Sequence, residues 1–198
     1  MLSSHLLLAL GWIGYFFIHS LMAYIPVKNW FRTKMGASFK FYRLVYSIAA
    51  IGLLAPLLYW QAKIPSPGLW GKSWLTTITG ALLTITGLWG MIICLKKYLV
   101  SPEGFKDLFF EGAKPALQVG GLHRIVRHPL YLSTFICLGG VLVFFPLVSN
   151  LIIYLLMIAY VIVAIPLEES KLVALYGEAY LRYQKEVPSL IPGLRSEQ

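Results

Sequence analysis

Five long apolar runs constrain this chain more than any other feature of its sequence. They cover residues 5–25, 44–60, 74–95, 129–145 and 151–167. Each is close to the roughly 20 residues that a helix needs to cross the hydrocarbon core of a bilayer. Because backbone groups in lipid must be hydrogen-bonded internally, such runs fold as helices. The sequence therefore predicts an all-α polytopic membrane protein with about five transmembrane helices and short interfacial amphipathic helices.

The composition favours the same class. The chain is 58% hydrophobic and only 13% charged, whereas a soluble domain carries about 25% charged residues. Its net charge of +9 does not indicate a nucleic-acid partner, because the basic residues cluster between the apolar runs. Cys94 and Cys137 lie inside apolar runs without metal-ligand spacing, so neither a disulfide nor a metal is expected. The N-terminus lacks the features of a cleaved signal peptide, so we expect the first run to be retained.

Basic residues alternate between the loops. The loops after the first and third runs and the C-terminal tail are rich in Lys and Arg, whereas the turn after the fourth run has none. The positive-inside rule then predicts an N-terminus outside and a C-terminus in the cytoplasm. The short loops favour the inner membrane of a bacterium, with the active site on the cytoplasmic side.

We expect a single membrane domain over residues 1–198 with no separate soluble part. Its predicted sections are three N-terminal spans (1–95), a cytosolic connector (96–128), a helical hairpin (129–167) and a cytosolic tail (168–198).

Two polar segments have the pattern of amphipathic surface helices. In residues 101–119, Glu103, Asp107 and Glu111 recur every four residues and are expected to form a solvated face. Residues 168–186 have the same character.

Cations, imidazoles, two glycines and a proline meet in residues 120–131, directly before the fourth run. His128 precedes Pro129, which disfavours the helical conformation at His128, and proline itself suits the first turn of a helix. Arg127 and His128 should therefore lie at a helix N-terminus, beside unpaired N–H groups and the positive end of the helix dipole. This position favours the binding of an anion.

Glu168 and Glu169 adjoin the end of the fifth run. Adjacent helical residues point about 100° apart, so the two carboxylates cannot both face one neighbour, and carboxylates near membrane depth usually pair with something. One interpretation is an interfacial helix start in which Glu168 pairs with Lys171. Alternatively, the short turn makes the last two spans an antiparallel hairpin that brings Arg127 and His128 close to both glutamates. Such a pocket suits a zwitterionic ligand.

The C-terminal motifs resemble those of the integral-membrane methyltransferases, which include isoprenylcysteine carboxyl methyltransferases and phospholipid N-methyltransferases. The motifs are R-H-P-x-Y at 127–131, the glutamate pair, and Y-G-E-A-Y-x-x-Y at 176–183. The resemblance implies S-adenosylmethionine bound on the cytosolic side between the R-H-P-x-Y motif and the glutamates, without a metal. The implied cofactor-binding residues are Gly121, Leu122, His128, Pro129, Tyr131, Glu168, Glu169 and Tyr180.

The N-terminal half is similar to the membrane methanethiol S-methyltransferases and the NnrU-like proteins. The similarity lies in H-S-L-M-A at 19–23 and Y-R-L-x-Y at 42–46. His19 is then either a base for a thiol nucleophile or a hydrogen-bonding link between helices, and Arg43 is either catalytic or a cytosolic anchor. The candidate catalytic residues are Arg127, His19, Arg43 and Tyr46.

One departure from the carboxyl methyltransferases bears on the substrate. Those enzymes typically carry an arginine four residues before the glutamate pair, where this chain has Ala164. We therefore predict methyl transfer to a small thiol or other lipophilic acceptor that enters from the bilayer. The alternatives are an isoprenylcysteine-type carboxyl methyltransferase, an NADPH-dependent sterol-reductase-like membrane enzyme, and a non-catalytic membrane protein that keeps the fold.

Overall fold

A computed structural model describes residues 2–99 and 117–194. The α-helices in these ranges are α1 (Leu2–Ala23), α2 (Ile25–Met35), α3 (Tyr42–Lys63), α4 (Trp74–Leu99), α5 (Pro129–Phe144), α6 (Val148–Tyr176) and α7 (Glu178–Glu186). Short 3₁₀ helices precede α3 and α5, at Gly36–Phe41 and Gly121–Arg124. The predicted all-α class is confirmed. The surface helix expected over residues 101–119, with Glu103, Asp107 and Glu111, falls almost entirely outside the described residues.

Four helices in the described ranges are long and apolar enough to cross a membrane, namely α1, α3, α4 and α6. The fourth predicted span, α5, has only 16 residues, which corresponds to about 24 Å of helix. This is shorter than the hydrocarbon core of about 30 Å. Helix α5 is therefore shorter than the other predicted spans, although it is as apolar as they are.

The last span is longer than its apolar run predicts. Helix α6 continues past Leu167, through both glutamates, and ends only at Gly177, which has a φ of 58°. Glycine adopts this positive-φ conformation without the steric cost that a Cβ imposes. The expectation of one amphipathic segment over residues 168–186 is therefore corrected, since its first half belongs to α6 and its second half forms α7.

Helices α4 and α5 are antiparallel, and their backbones are in direct contact. Glycines of α4 lie against the other helix along the whole contact, with Gly80 at Phe144 and Gly87 at Cys137. Small residues allow this approach, which supplies the packing that holds helices together in lipid. The contact fixes the N-terminus of α5 beside the last turns of α4.

Adding a methyl group at Gly87 should weaken this helix pair. A Cβ there would lie 2.6 Å from the Cα of Cys137, so Gly87→Ala should destabilise the protein by about 1–3 kcal/mol through overpacking. Gly14→Ala is the control, because nothing lies within 4 Å of a Cβ at that helical position. Thermal unfolding in detergent measures both variants. Equal melting temperatures for the two variants would contradict this close contact.

The end of the bundle where α3 finishes and α6 begins is held by partly buried side-chain hydrogen bonds. Trp12 Nε1 donates to Gln61 Oε1 at 2.6 Å, and Gln61 Nε2 donates to Asn150 Oδ1 at 3.0 Å. These two hydrogen bonds link α1, α3 and α6 next to an apolar core that includes Leu8 and Ile153. They leave the other ends of α1 and α6, which carry His19 and the glutamates, to form the candidate site.

Candidate functional site

The segment that enters α5, residues 120–129, is called the corner below. Within it, Gly121 has a φ of 67° and starts one 3₁₀ turn. His128 has φ −119° and ψ 63°, outside the helical region, and Pro129 is the first residue of α5. The local structure predicted from the His-Pro pair is therefore confirmed.

The segment that follows α6, residues 177–194, is called the tail from here on, and it lies directly against the corner. The backbone N–H groups of Arg127 and His128 donate to the carbonyl oxygens of Pro188 and Ser189, at 2.9 and 3.0 Å. We expected these two residues beside unpaired N–H groups, but their own N–H groups are taken by the tail. The first turn of α5 still presents the N–H groups that have no acceptor within the helix, and the positive end of its dipole.

Glu169 joins the corner, α6 and the tail. Its Oε1 accepts from Arg127 Nε at 2.7 Å and lies 3.0 Å from His128 Nε2, while its Oε2 accepts from Gln184 Nε2 at 2.9 Å. Arg127 Nη1 also donates to the carbonyl oxygens of Gln184 and Val187. The side chains of Arg127 and Glu169 are 3% and 10% exposed. Since an ionised carboxylate only accepts hydrogen bonds, Glu169 places the hydrogen of His128 on Nε2.

Glu168 differs from Glu169 in that its carboxylate is open. Its side chain is 48% exposed, and its Oε2 lies 3.8 Å from His128 Nδ1. The hydroxyl of Tyr131 lies near the Glu168 carboxylate and the Tyr160 hydroxyl, and the Tyr131 ring stacks on His128 with centroids 5.7 Å apart. The imidazole thus lies between one buried and one accessible carboxylate.

A cavity of about 590 Å³ opens beside Glu168, and we call it the corner cavity. This volume is typical of sites for small molecules. One end is polar, and the rest of the wall is mainly aromatic and aliphatic. The lining includes Arg127, His128 and Pro129 of the corner, Glu168, and the ring-bearing residues Tyr15, Phe16, His19, Tyr131 and Tyr160.

A second cavity of about 500 Å³ lies between α1 and α6, and we call it the α1–α6 cleft. Its walls are largely apolar, and Lys171 lies on its lining near Glu168. The side chains that line both cavities are His19, Tyr131, Tyr160 and Glu168.

The predicted site residues fall into two groups. The corner cavity brings together six of them, from α1, the corner, α5 and α6: His19, Arg127, His128, Pro129, Tyr131 and Glu168. Glu169 and Tyr180 are instead buried outside the lining of that cavity. Tyr180 is 1% exposed, and burial raises the pKa of its hydroxyl, with the Glu169 carboxylate acting in the same direction. Its hydroxyl has no hydrogen-bond partner among the described residues.

The remaining predicted residues lie farther out. Gly121 and Leu122 form the 3₁₀ turn of the corner and do not line the corner cavity. Tyr46 contacts the back of His19, with its hydroxyl 2.9 Å from Nδ1. Arg43 belongs to α3, but its side chain lies outside the described part of the structure.

Tyr160 is a site residue that the sequence reasoning missed. It precedes Ala164 and Glu168 by one and two helical turns, so the three residues share a face of α6. A tyrosine two turns before a glutamate at the end of an apolar run was the available signal. In the described ranges, no three His, Cys, Asp or Glu side chains are grouped so that they could hold a metal ion.

Comparison with protein families gives one match over more than half of the chain. A family model described as phospholipid methyltransferase matches residues 75–179. This region begins in α4, contains the corner, α5 and the whole of α6, and ends at the start of α7. It therefore holds both glutamates and the R-H-P-x-Y motif.

Curated relatives are similar over nearly the whole chain. A methanethiol S-methyltransferase of Pseudomonas deceptionensis is 31% identical over 192 residues, which cover 89% of this chain and 68% of the relative. A methanethiol S-methyltransferase of Crocosphaera subtropica is 28% identical over 94% of this chain and 74% of the relative. A protein-S-isoprenylcysteine O-methyltransferase of Schizosaccharomyces pombe is 38% identical over 77 residues, or 38% of this chain and 33% of the relative. No solved structure matches significantly.

Proposed function

Because the chain belongs to the phospholipid methyltransferase family of integral membrane proteins, we propose that it transfers a methyl group from S-adenosylmethionine to a small thiol or another lipophilic acceptor. The membership itself confirms the resemblance drawn from the motifs. The donor and the acceptor are the proposed parts. Their support comes from the corner cavity and from the activities for which the relatives are named.

The open carboxylate of Glu168 at the polar end of the corner cavity is the observation that carries the proposal. The methionine part of the donor has an ammonium and a carboxylate. Glu168 can accept from the ammonium, while the N–H groups at the start of α5 and the dipole of that helix favour the carboxylate. His128 lies between the two. This complementarity supports a zwitterionic amino-acid group at the corner.

The aromatic lining suits the reactive end of the same molecule. Bound S-adenosylmethionine supplies a methyl group on a sulfonium, and its transfer to an acceptor sulfur leaves the bond's electron pair on S-adenosylhomocysteine. Rings of Tyr15, Phe16, Tyr131 and Tyr160 line the corner cavity, and aromatic faces attract such cations. Apolar walls also exclude water, so the residues of this chain act mainly by alignment.

Two observations favour a thiol acceptor. The relatives that match over most of this chain are named for methanethiol, and the α1–α6 cleft has Ala164 where the carboxyl methyltransferases typically carry an arginine. His19 lines both cavities, and we assign to it the removal of the thiol proton, with Tyr46 orienting its ring.

The side chain of Arg127 is already bound to Glu169 and to backbone carbonyls of the tail, so we propose that it positions the corner. We propose that Arg43, near the start of α3, contributes to the catalytic site from its cytosolic side.

Replacing His19 should change how the rate depends on pH. Without a base, transfer depends on the fraction of acceptor already present as thiolate, which rises with pH below the pKa of the thiol. His19→Gln should therefore lose most activity at neutral pH and recover as the pH rises. Rates measured from pH 6 to 9 test this, with Ala159→Gln, an exposed position on α6, as the control. An equal loss at every pH would indicate a packing role for His19.

We further propose that the corner cavity opens to the cytoplasm in a bacterial inner membrane. Helix α2 follows the site end of α1 and carries Lys28, Arg32 and Lys34. Basic residues of this kind lie on the cytoplasmic side. Donor would then enter from the cytosol and acceptor from the lipid.

Calorimetric titration of the detergent-purified protein tests the donor. S-adenosylmethionine and S-adenosylhomocysteine should each bind at one site per chain, and NADPH should neither bind nor compete. Binding of NADPH alone would favour the reductase-like alternative. No binding of any of the three, with lipid restored, would favour a non-catalytic membrane protein.

A further inference from the structure

The corner cavity and the α1–α6 cleft meet at a small set of side chains. His19, Tyr131, Tyr160 and Glu168 line both. A molecule in the cleft and a molecule in the corner cavity would therefore approach each other across these four residues. Reaction between two ligands requires such an approach within a few ångströms.

Tyr160 is a ring at this junction that contacts to α1 hold in place. Its hydroxyl lies 3.0 Å from Ser20 Oγ of α1 and near the hydroxyl of Tyr131 of α5. Its ring stacks on Phe16, with centroids 4.7 Å apart and planes 16° apart. The contacts to Ser20 and Phe16 thus hold the ring of Tyr160, itself on α6, against α1 at the junction.

The rest of the cleft faces the surroundings of the bundle with apolar groups. Phe17 and Leu167 line it and are 65% and 58% exposed. In a membrane protein, apolar side chains exposed at this depth contact lipid. A lipid-soluble molecule can reach the cleft from the bilayer, whereas Glu168 and Lys171 form its polar end, nearer the C-terminus of α6.

We propose that the acceptor binds in the α1–α6 cleft and that Tyr160 determines how large an acceptor can react. This inference rests on the proposed methyl transfer to a thiol. The acceptor sulfur must pass the Tyr160 ring to reach the corner cavity. A methyl group on that sulfur fits beside the ring, whereas a longer alkyl chain collides with a side chain that Ser20 and Phe16 hold in place.

Kinetics with two thiols test the inference. In Tyr160→Ala, the ratio of kcat/KM for hexanethiol to kcat/KM for methanethiol should rise about tenfold or more, the scale on which methylene groups are discriminated in apolar sites. Tyr160→Phe keeps the ring and its stacking on Phe16 but loses the hydroxyl contact to Ser20, so its ratio should rise less than that of Tyr160→Ala. Tyr154→Ala is the matched control, because Tyr154 is a tyrosine of α6 that lines neither cavity.

The affinity for S-adenosylhomocysteine, measured on each variant, separates the possible failures. An unchanged thiol ratio in Tyr160→Ala with this affinity retained would overturn the inference, as would an equal rise in Tyr154→Ala or Tyr160→Phe. If Tyr160→Ala does not fold, Tyr160→Leu takes its place with the same expectation. An unaltered protein that binds no S-adenosylhomocysteine and methylates neither thiol would overturn the proposed function itself.

Discussion

Replacing Glu169 with glutamine should destabilise the protein by about 3–5 kcal/mol, because it leaves the buried guanidinium of Arg127 without a counter-charge. The carboxylate accepts hydrogen bonds from Arg127, His128 and Gln184. A glutamine amide offers one oxygen acceptor and turns its N–H₂ group toward a donor. Thermal unfolding in detergent should show a melting temperature lower by roughly 6–20 °C.

Two further variants make this prediction specific. Glu186→Gln removes an exposed carboxylate of α7 and should change stability by no more than about 0.5 kcal/mol. The double variant Arg127→Met/Glu169→Gln should be more stable than the sum of the single changes predicts, because both charges are removed together. A Glu169→Gln melting temperature equal to that of Glu186→Gln would show that the buried cluster does not hold the corner.

The neighbouring change, Glu168→Gln, should act on binding instead of stability. We expect the affinity for S-adenosylmethionine to fall about 10- to 100-fold, the range for losing a hydrogen bond to a charged group. The melting temperature should hardly change, because the Glu168 side chain is 48% exposed. Calorimetry with S-adenosylhomocysteine measures the affinity without turnover.

A truncated ligand supplies the control for Glu168. Methylthioadenosine has the adenosine and thioether parts but neither the ammonium nor the carboxylate. Glu168→Gln should leave its affinity unchanged while weakening S-adenosylhomocysteine. If both ligands weaken equally, Glu168 shapes the cavity and does not bind the ammonium.

The corner and its position beside the glutamates could be predicted from the sequence because each follows from a local rule. A histidine before proline cannot continue a helix, and proline begins one. The short turn before α6 then brings residues 127 and 128 next to residues 168 and 169. The distances between Glu169 and the two corner residues are those of direct hydrogen bonds.

The different roles of the two glutamates, one buried and one accessible, could not be predicted in the same way. Which carboxylate turns inward depends on the rotation of α6, and that rotation is set by packing of the whole bundle. Tyr160 was missed for the same reason, since an isolated tyrosine in an apolar run usually serves packing or the membrane interface. The tail's hold on the N–H groups of Arg127 and His128 depends on a contact across about 60 residues of chain, which no local pattern encodes.

Methyl transfer itself is the most direct test of the account. Purified protein in lipid vesicles would be given S-adenosylmethionine with an isotopically labelled methyl group, together with methanethiol, and labelled dimethyl sulfide would be measured in the headspace. We predict product that forms in proportion to the protein and falls sharply in Glu168→Gln. A protein that binds the donor yet transfers no label to methanethiol, to longer thiols, to amines or to carboxylates would contradict the proposal that this site is catalytic.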